Sequence, residues 1–194
     1  MGLGITVMAV DWTRLQAIPA GERLERLYEE SVAAVVDAGW FWPTSRSEQQ
    51  QPWWGVHEFR DTLGSYKAHF WAGEVWDDVR EHAVPELRDA LDGFLVGLGI
   101  RWDPEEEDAP HDSEAWRSDL LLCRAPAEVS ALARLWALAE PLVDGVRESF
   151  DAHAARGPEK WMSDHAEFAS LLRGWGEVVV EADRRGWGVV GLRC

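Results

Sequence analysis

Thirteen tryptophans in 194 residues, against only two tyrosines, set the hardest constraint on what this chain can fold into. Each indole carries a large apolar body that must be covered and an N–H that needs an acceptor once buried. The chain therefore needs either an aromatic-heavy core or an aromatic-lined pocket, and residue identity alone leaves both open. Its length permits the first. Single domains commonly run to about 250 residues, and at this size roughly 70% of the unfolded chain's surface can be buried. We expect one globular domain over residues 1–194, with no staple required.

Hydrophobic periodicity gives the order of elements. Residues 3–10 (LGITVMAV) are short, rich in β-branched side chains and stopped by Asp11, which predicts a buried strand. Asp11 then caps a short turn carrying Trp12 and Leu15, closed by Pro19. Leu24, Leu27, Tyr28, Val35 and Ala38 fall at helical spacing, with Gly39 as the stop. A second helix over 65–83 places Ala68, Trp71, Val75 and Val79 on one face. Pro85 suits the first turn of a third helix, whose Leu87, Ala90, Leu91, Phe94, Leu95 and Leu98 form an i, i+3, i+4, i+7 stripe.

The second half repeats the pattern. Residues 118–124 (SDLLLCR) predict another strand. Pro126 opens a helix with Val129, Leu132, Ala133 and Trp136 inward, and Pro141 starts one running through Val146 and Phe150. The last helix begins at a capping box, Asp164 with Glu167, and buries Phe168, Leu171, Leu172, Trp175, Val179 and Ala182. Gly186 and Gly188 bracket the turn into a closing strand over 187–192. The implied class is α+β and predominantly helical. A small sheet of about three strands, N-terminal, central and C-terminal, packs with amphipathic helices.

Charge narrows the partners. Acidic residues outnumber basic ones 35 to 19, a formal net charge of −16. That field repels nucleic acid and anionic lipid, whose binding depends on Lys and Arg neutralising phosphates. It favours a basic protein or a cationic small ligand, and it also serves plain solubility. Cys123 and Cys194 show no metal spacing and fit a reducing compartment. The first ten residues lack a secretory n-region, and no apolar run reaches the 18 residues of a membrane span, so the expected location is cytoplasmic.

A resemblance emerges in two stretches. Residues 123–129 (CRAPAEV) lead into two amphipathic helices, and residues 181–186 (EADRRG) lead from an aromatic helix into a Val-rich strand. With the opening MGLG and the AVD at 9–11, this resembles the bacterial YfbM-like family, a domain of unknown function. The likeness covers the first dozen residues and roughly the last seventy; the middle departs from the family pattern, Lys67-Ala68-His69-Phe70 being at best a remnant. It implies an α+β fold and brings no catalytic residues or cofactor.

Candidate chemistry is sparse. His57-Glu58 followed by Asp61 places a His and a carboxylate one helical turn apart, but the zincin pattern needs a second His there, so no metal is expected. His69 shares that face only if Gly64 leaves a helix unbroken. The acidic stretch around His111-Asp112 lacks the spacing of a calcium loop and reads as a solvated loop. Asp164-His165, near His153, suggests an oriented imidazole, yet Asp164 is an N-cap and His165 is expected to face water. Cys123 reads as a small hydrophobe within its strand. No P-loop, Gly-x-Ser-x-Gly or dinucleotide motif occurs, so neither a cofactor nor a catalytic set is expected.

The remaining oddity is the stretch 40–56, where periodicity fails. Trp40, Trp42, Trp53 and Trp54 flank a polar run, with His57 and Glu58 immediately after. Half-exposed tryptophans are typical of binding anchors and cation-recognising cages, while loop aromatics also fold back as a satellite core. Two functions follow. One is a non-enzymatic interaction protein, immunity- or regulator-like, that attracts a basic protein and anchors it on Trp40, Trp42, Trp53 and Trp54. The other is a small-molecule or cation-binding domain, even an enzyme, with Trp walls and His57, Glu58 and His69 as polar groups. A pocket uniting Trp53, Trp54 and His57 would favour the second. Absence of a motif favours binding over catalysis.

Overall fold

A computed structural model describes residues 3–32, 38–43, 52–101, 116–117, 120–156 and 162–194. Its centre is β1 (Ile5–Val10), paired antiparallel with β3 (Trp54–Glu58) on one side and β5 (Gly188–Arg193) on the other. The edges are β2 (Gly39–Phe41) and β4 (Leu120–Arg124), giving the order β2-β3-β1-β5-β4. The class is the expected α+β, predominantly helical, but among the described residues the sheet has five strands rather than about three. Both additional strands come from the segment expected to be a loop. Gly39, Gly55 and His57 interrupt its apolar alternation, so a period-two pattern is hard to see there.

Side chains alternate across this sheet, and each face has its own core. Toward one face Val7, Ala9 and Val189 meet α3 (Tyr66–Val79), α4 (Pro85–Gly97), α5 (Pro126–Ala139), α6 (Arg147–Ala154) and α7 (His165–Arg185). Toward the other, Met8, Val10, Val56, Val190 and Leu192 meet α1 (Trp12–Ala17) and α2 (Ala20–Ser31). The expected stripes of α4, α5 and α7 are all buried in the first core. Asp11 caps α1 by accepting from the N–H groups of Thr13 and Arg14, and Asp164 caps α7 by accepting from Glu167 N–H. Glu167 reaches back to Ser163 N–H, closing the cap from the other side.

Three helices depart from expectation. α2 stops at Ser31, with Val32 exposed; Val35 lies outside the described residues, and Ala38 sits in a bend. α3 turns His69, Ala72, Val75, Trp76 and Val79 inward and leaves Ala68 and Trp71 at its margin. His69 and Gly73 look polar or neutral in sequence, and this disguised the buried face. The segment from Pro141 is a 3-10 stretch, Glu140–Val146, before α6 begins. His111, Asp112 and most of the acidic stretch lie outside the described residues.

Tryptophan and glycine solve the packing problem together. A Cβ on Gly176 of α7 would lie 2.1 Å from the Trp136 indole nitrogen, and one on Gly55 of β3 would lie 2.2 Å from the Trp42 ring. Glycine inside a helix costs about 1 kcal/mol relative to alanine; here it lets an indole lie flat on the backbone. Two of the buried indoles have side-chain acceptors. Trp76 donates to Asp92 at 2.7 Å, and Trp175 donates to Nδ1 of His69 at 2.9 Å.

Candidate functional site

Strand alternation separates the six residues singled out in the sequence. Trp40 and Trp42, at positions i and i+2, pack with His57 on the α7 side of the sheet. Trp54 is 3% exposed in the smaller core, 6.1 Å from the ring of Phe41, and Trp53 packs against the same cluster. Trp53 and Trp54 therefore do not share a pocket with His57. Glu58 occupies the next register position, opposite Gly39, and faces a cleft of about 590 Å³ with Leu3, Thr6, Ser65 and Cys194. Burial holds the Glu58 carboxyl above its usual range.

Trp40 and Trp42 stack at 4.6 Å between centroids with planes 17° apart. Trp42 meets Trp187, at the start of the closing turn, edge-on at 6.0 Å. Into this angle α7 sends Arg185. Its Cζ lies 3.8 Å from the Trp42 centroid and 5.0 Å from that of Trp187. Its Nε donates to Glu181 Oε1 at 2.6 Å. Arg184 grips the same carboxylate with two donors at 2.8 Å, and these bonds, with the one from Arg185, hold Glu181 down to about 2. Glu181 is thus ionised across the physiological range.

One turn earlier on α7, Glu177 reaches His57 Nε2 at 3.3 Å while remaining 65% exposed. The His57 ring lies 5.1 Å from Trp40. Burial pushes the His57 pKa down, and Glu177 works against that shift. Glu177, Glu181 and Arg185 are spaced i, i+4, i+8, so one stripe of α7 lays charge along the tryptophan edge.

Inward from His57 the aromatic contacts continue. Phe59 touches His57 at 4.9 Å, His69 at 4.7 Å and Trp175 at 4.8 Å. His69 is fully buried, and burial brings its pKa down to about 4. Because Nδ1 accepts from Trp175, the neutral ring carries its proton on Nε2, which has no hydrogen-bond partner among the described residues. Phe59 lies between the two imidazoles, so they do not converge on a shared ligand. Among the described residues no cluster of three or more His, Cys, Asp or Glu is arranged to hold a metal ion.

Other sequence candidates resolve into structure. His57 lies in β3 rather than on a helix, and Asp61 follows in a turn with φ +63°, so the helical His–Asp spacing is not formed. His165 does not face water. It is fully buried, its ring nitrogen bonded to Val143 C=O at 3.0 Å, because the first turn of α7 packs against the 3-10 segment and α6. Cys123 is half-buried in edge strand β4.

Sequence reasoning missed Glu177, Glu181, Arg185 and Trp187. The available signal was the i, i+4 acid–base pair Glu181–Arg185, two residues ahead of a tryptophan. No protein-family model, no curated protein and no solved structure matches this chain. No helix among the described residues is long and apolar enough to cross a membrane. Fold and site together define an α+β protein whose sheet edge carries a tryptophan cage filled by its own arginine.

Proposed function

We propose that this chain is a cytoplasmic binding protein rather than an enzyme, and that it engages a basic protein partner as an immunity protein or regulator does. The observation that supports this reading is the seating of Arg185 on Trp42 and Trp187 beside Glu181. It marks the edge as a surface suited to a cation, since aromatic faces attract guanidinium groups and neighbouring carboxylates add directed hydrogen bonds. The net charge of −16 raises encounter rates with a basic partner at low salt. Kinship with the YfbM-like family belongs to the same proposal. The stretches that suggest it form the β4–α5 junction and the end of α7, which supports the fold and supplies no catalytic residue.

The test is titration of an eight-arginine peptide, followed by anisotropy of a label on the peptide. Wild-type protein should bind, with affinity falling as salt rises. Trp42→Leu and Glu177→Lys should each weaken binding by tenfold or more while both variants remain folded. Equal binding by all three proteins sinks the assignment of this edge.

The cleft at Glu58 favours a second reading, a small-molecule or amine site. Its volume falls in the range of such sites, about 300–1,000 Å³. A thermal shift with small amines that vanishes in Glu58→Gln would support it.

A further inference from the structure

We propose that Arg185 is a built-in competitor for the tryptophan cage, so that the cage is specific for an arginine of the partner, which must displace it. This inference rests on the binding reading above and names the group that is bound and the contact that regulates access to it.

The geometry favours arginine over lysine. Arg185 Cζ lies over the Trp42 ring, 3.8 Å from its centroid, with Trp187 as a second wall and a carboxylate accepting from Nε. A planar guanidinium satisfies stacking and in-plane hydrogen bonding at once, whereas an ammonium is a compact, strongly hydrated point charge. The site as built holds the flat group.

Exchange is cheap for a reason visible in the hydrogen bonds. Glu181 accepts from two arginines, and Arg184 supplies two of the three donors. When Arg185 leaves, Glu181 stays paired with Arg184, so no half-buried carboxylate is stranded. Arg185 itself sits on the last turn of α7, before Gly186 with φ +68°, and its side chain is already 23% exposed. Release asks for a rotamer change at a helix end and leaves the core untouched. An incoming arginine then meets Trp42 and Trp187 together with Glu177, which is largely exposed and bonded to His57. Like replaces like, so the wild-type protein binds with an affinity reduced by the fraction of molecules whose cage is closed.

The experiment compares eight-arginine and eight-lysine peptides on wild-type protein, Arg185→Ala and Arg185→Lys, with thermal melts alongside. Arg185→Ala should bind the arginine peptide on the order of tenfold tighter than wild type, and the lysine peptide far less so. Arg185→Lys, which keeps charge and stem but loses the flat group, should show a smaller gain at an unchanged melting temperature. It decides the matter if the alanine variant does not fold. Wild-type binding that depends on Trp42 but weakens or stays the same in both Arg185 variants overturns the competitor role and leaves the binding reading intact. No binding of the arginine peptide by any of the three proteins removes both.

Discussion

The two tryptophan pairs that flank residues 43–52 are alike in composition and opposite in fate. Trp40 and Trp42 lie on the face covered by α7, half-buried, with Glu177, Glu181 and Arg185 along their rim. Trp54 lies on the other face among Met8, Val10 and Leu27, with Trp53 at the edge of the same cluster. That face also carries an arginine against an indole, since Arg23 sits 5.5 Å over Trp116. But Arg23 is buried and spends its donors on the carbonyls of Ile18 and Gln16. On the proposal above, the arginine that exchanges is the one whose acceptor has a second donor and whose rim solvent reaches, and among the described residues Arg23 has neither feature.

The largest expected effect separates the pairs directly. Trp54→Ala should cost about 3–5 kcal/mol of stability, the range for truncating a buried aromatic, and shift the urea midpoint accordingly. Arginine-peptide binding by the folded fraction should not change. Sequence alone leaves both an anchor and a satellite core open for Trp54, and a Trp54→Ala protein that melts like wild type but loses peptide binding would restore the anchor.

A second test contrasts the two histidines on either side of Phe59. His69 is held neutral at about 4 in the folded state, against an ordinary value near 6.5. Between those values the unfolded chain binds more protons, so stability rises with pH. The contribution is complete above about 6.5 and is lost as pH falls toward 4, amounting to about 3 kcal/mol. Protonation would also place a donor on Nδ1, facing the Trp175 N–H. Urea titrations at pH 7, 5.5 and 4.5 should show this slope in wild type and a shallower one in His69→Gln. Parallel slopes would place the acid sensitivity elsewhere. Carboxylate titration is common to both proteins and cancels in the difference.

Much of the fold was legible because its helices declare themselves. The stripes from Leu87 to Leu98 and from Phe168 to Ala182 repeat at 3.6 residues without interruption, and their starts are marked, by Pro85 in the first turn and by the Asp164 cap. The sheet edge was not legible. β2 and β3 are short, and Gly55 occupies the position where an apolar residue would have revealed the alternation; the apolar group there is Trp42, the residue that follows β2. Sequence places His69 and His165 in doubtful or wet positions because a buried, hydrogen-bonded imidazole looks the same in sequence as one in water. The cage was invisible for another reason. Its parts come from positions 40–42 and 177–187, and only strand pairing brings them together.

A Cβ at Gly55 tests that pairing with a smaller expected effect. It would lie 2.2 Å from Trp42, so Gly55→Ala should force the indole off the sheet and cost about 1–3 kcal/mol, the usual range for overpacking. Arginine-peptide binding should weaken with it. Gly21→Ala provides the contrast, because nothing lies within 4 Å of its added carbon and it sits in α2. That change should be neutral or stabilising by up to about 1 kcal/mol.

The smallest effect concerns Glu177 and decides whether the tryptophan edge keeps a carboxylate in place. Glu177 is largely exposed, so Glu177→Gln should change stability by less than about 0.5 kcal/mol. The His57 titration is the sensitive readout. Burial lowers its pKa and Glu177 partly offsets that, through the hydrogen bond first and charge second. Glutamine keeps an acceptor oxygen but loses the charge, which shrinks the offset, so His57 should titrate at a lower pH in Glu177→Gln, followed by the NMR shift of its ring proton. An unchanged titration would mean that the carboxylate does not dwell on His57 in solution, and the rim would then have lost the acceptor that distinguishes it from the sealed face around Trp54.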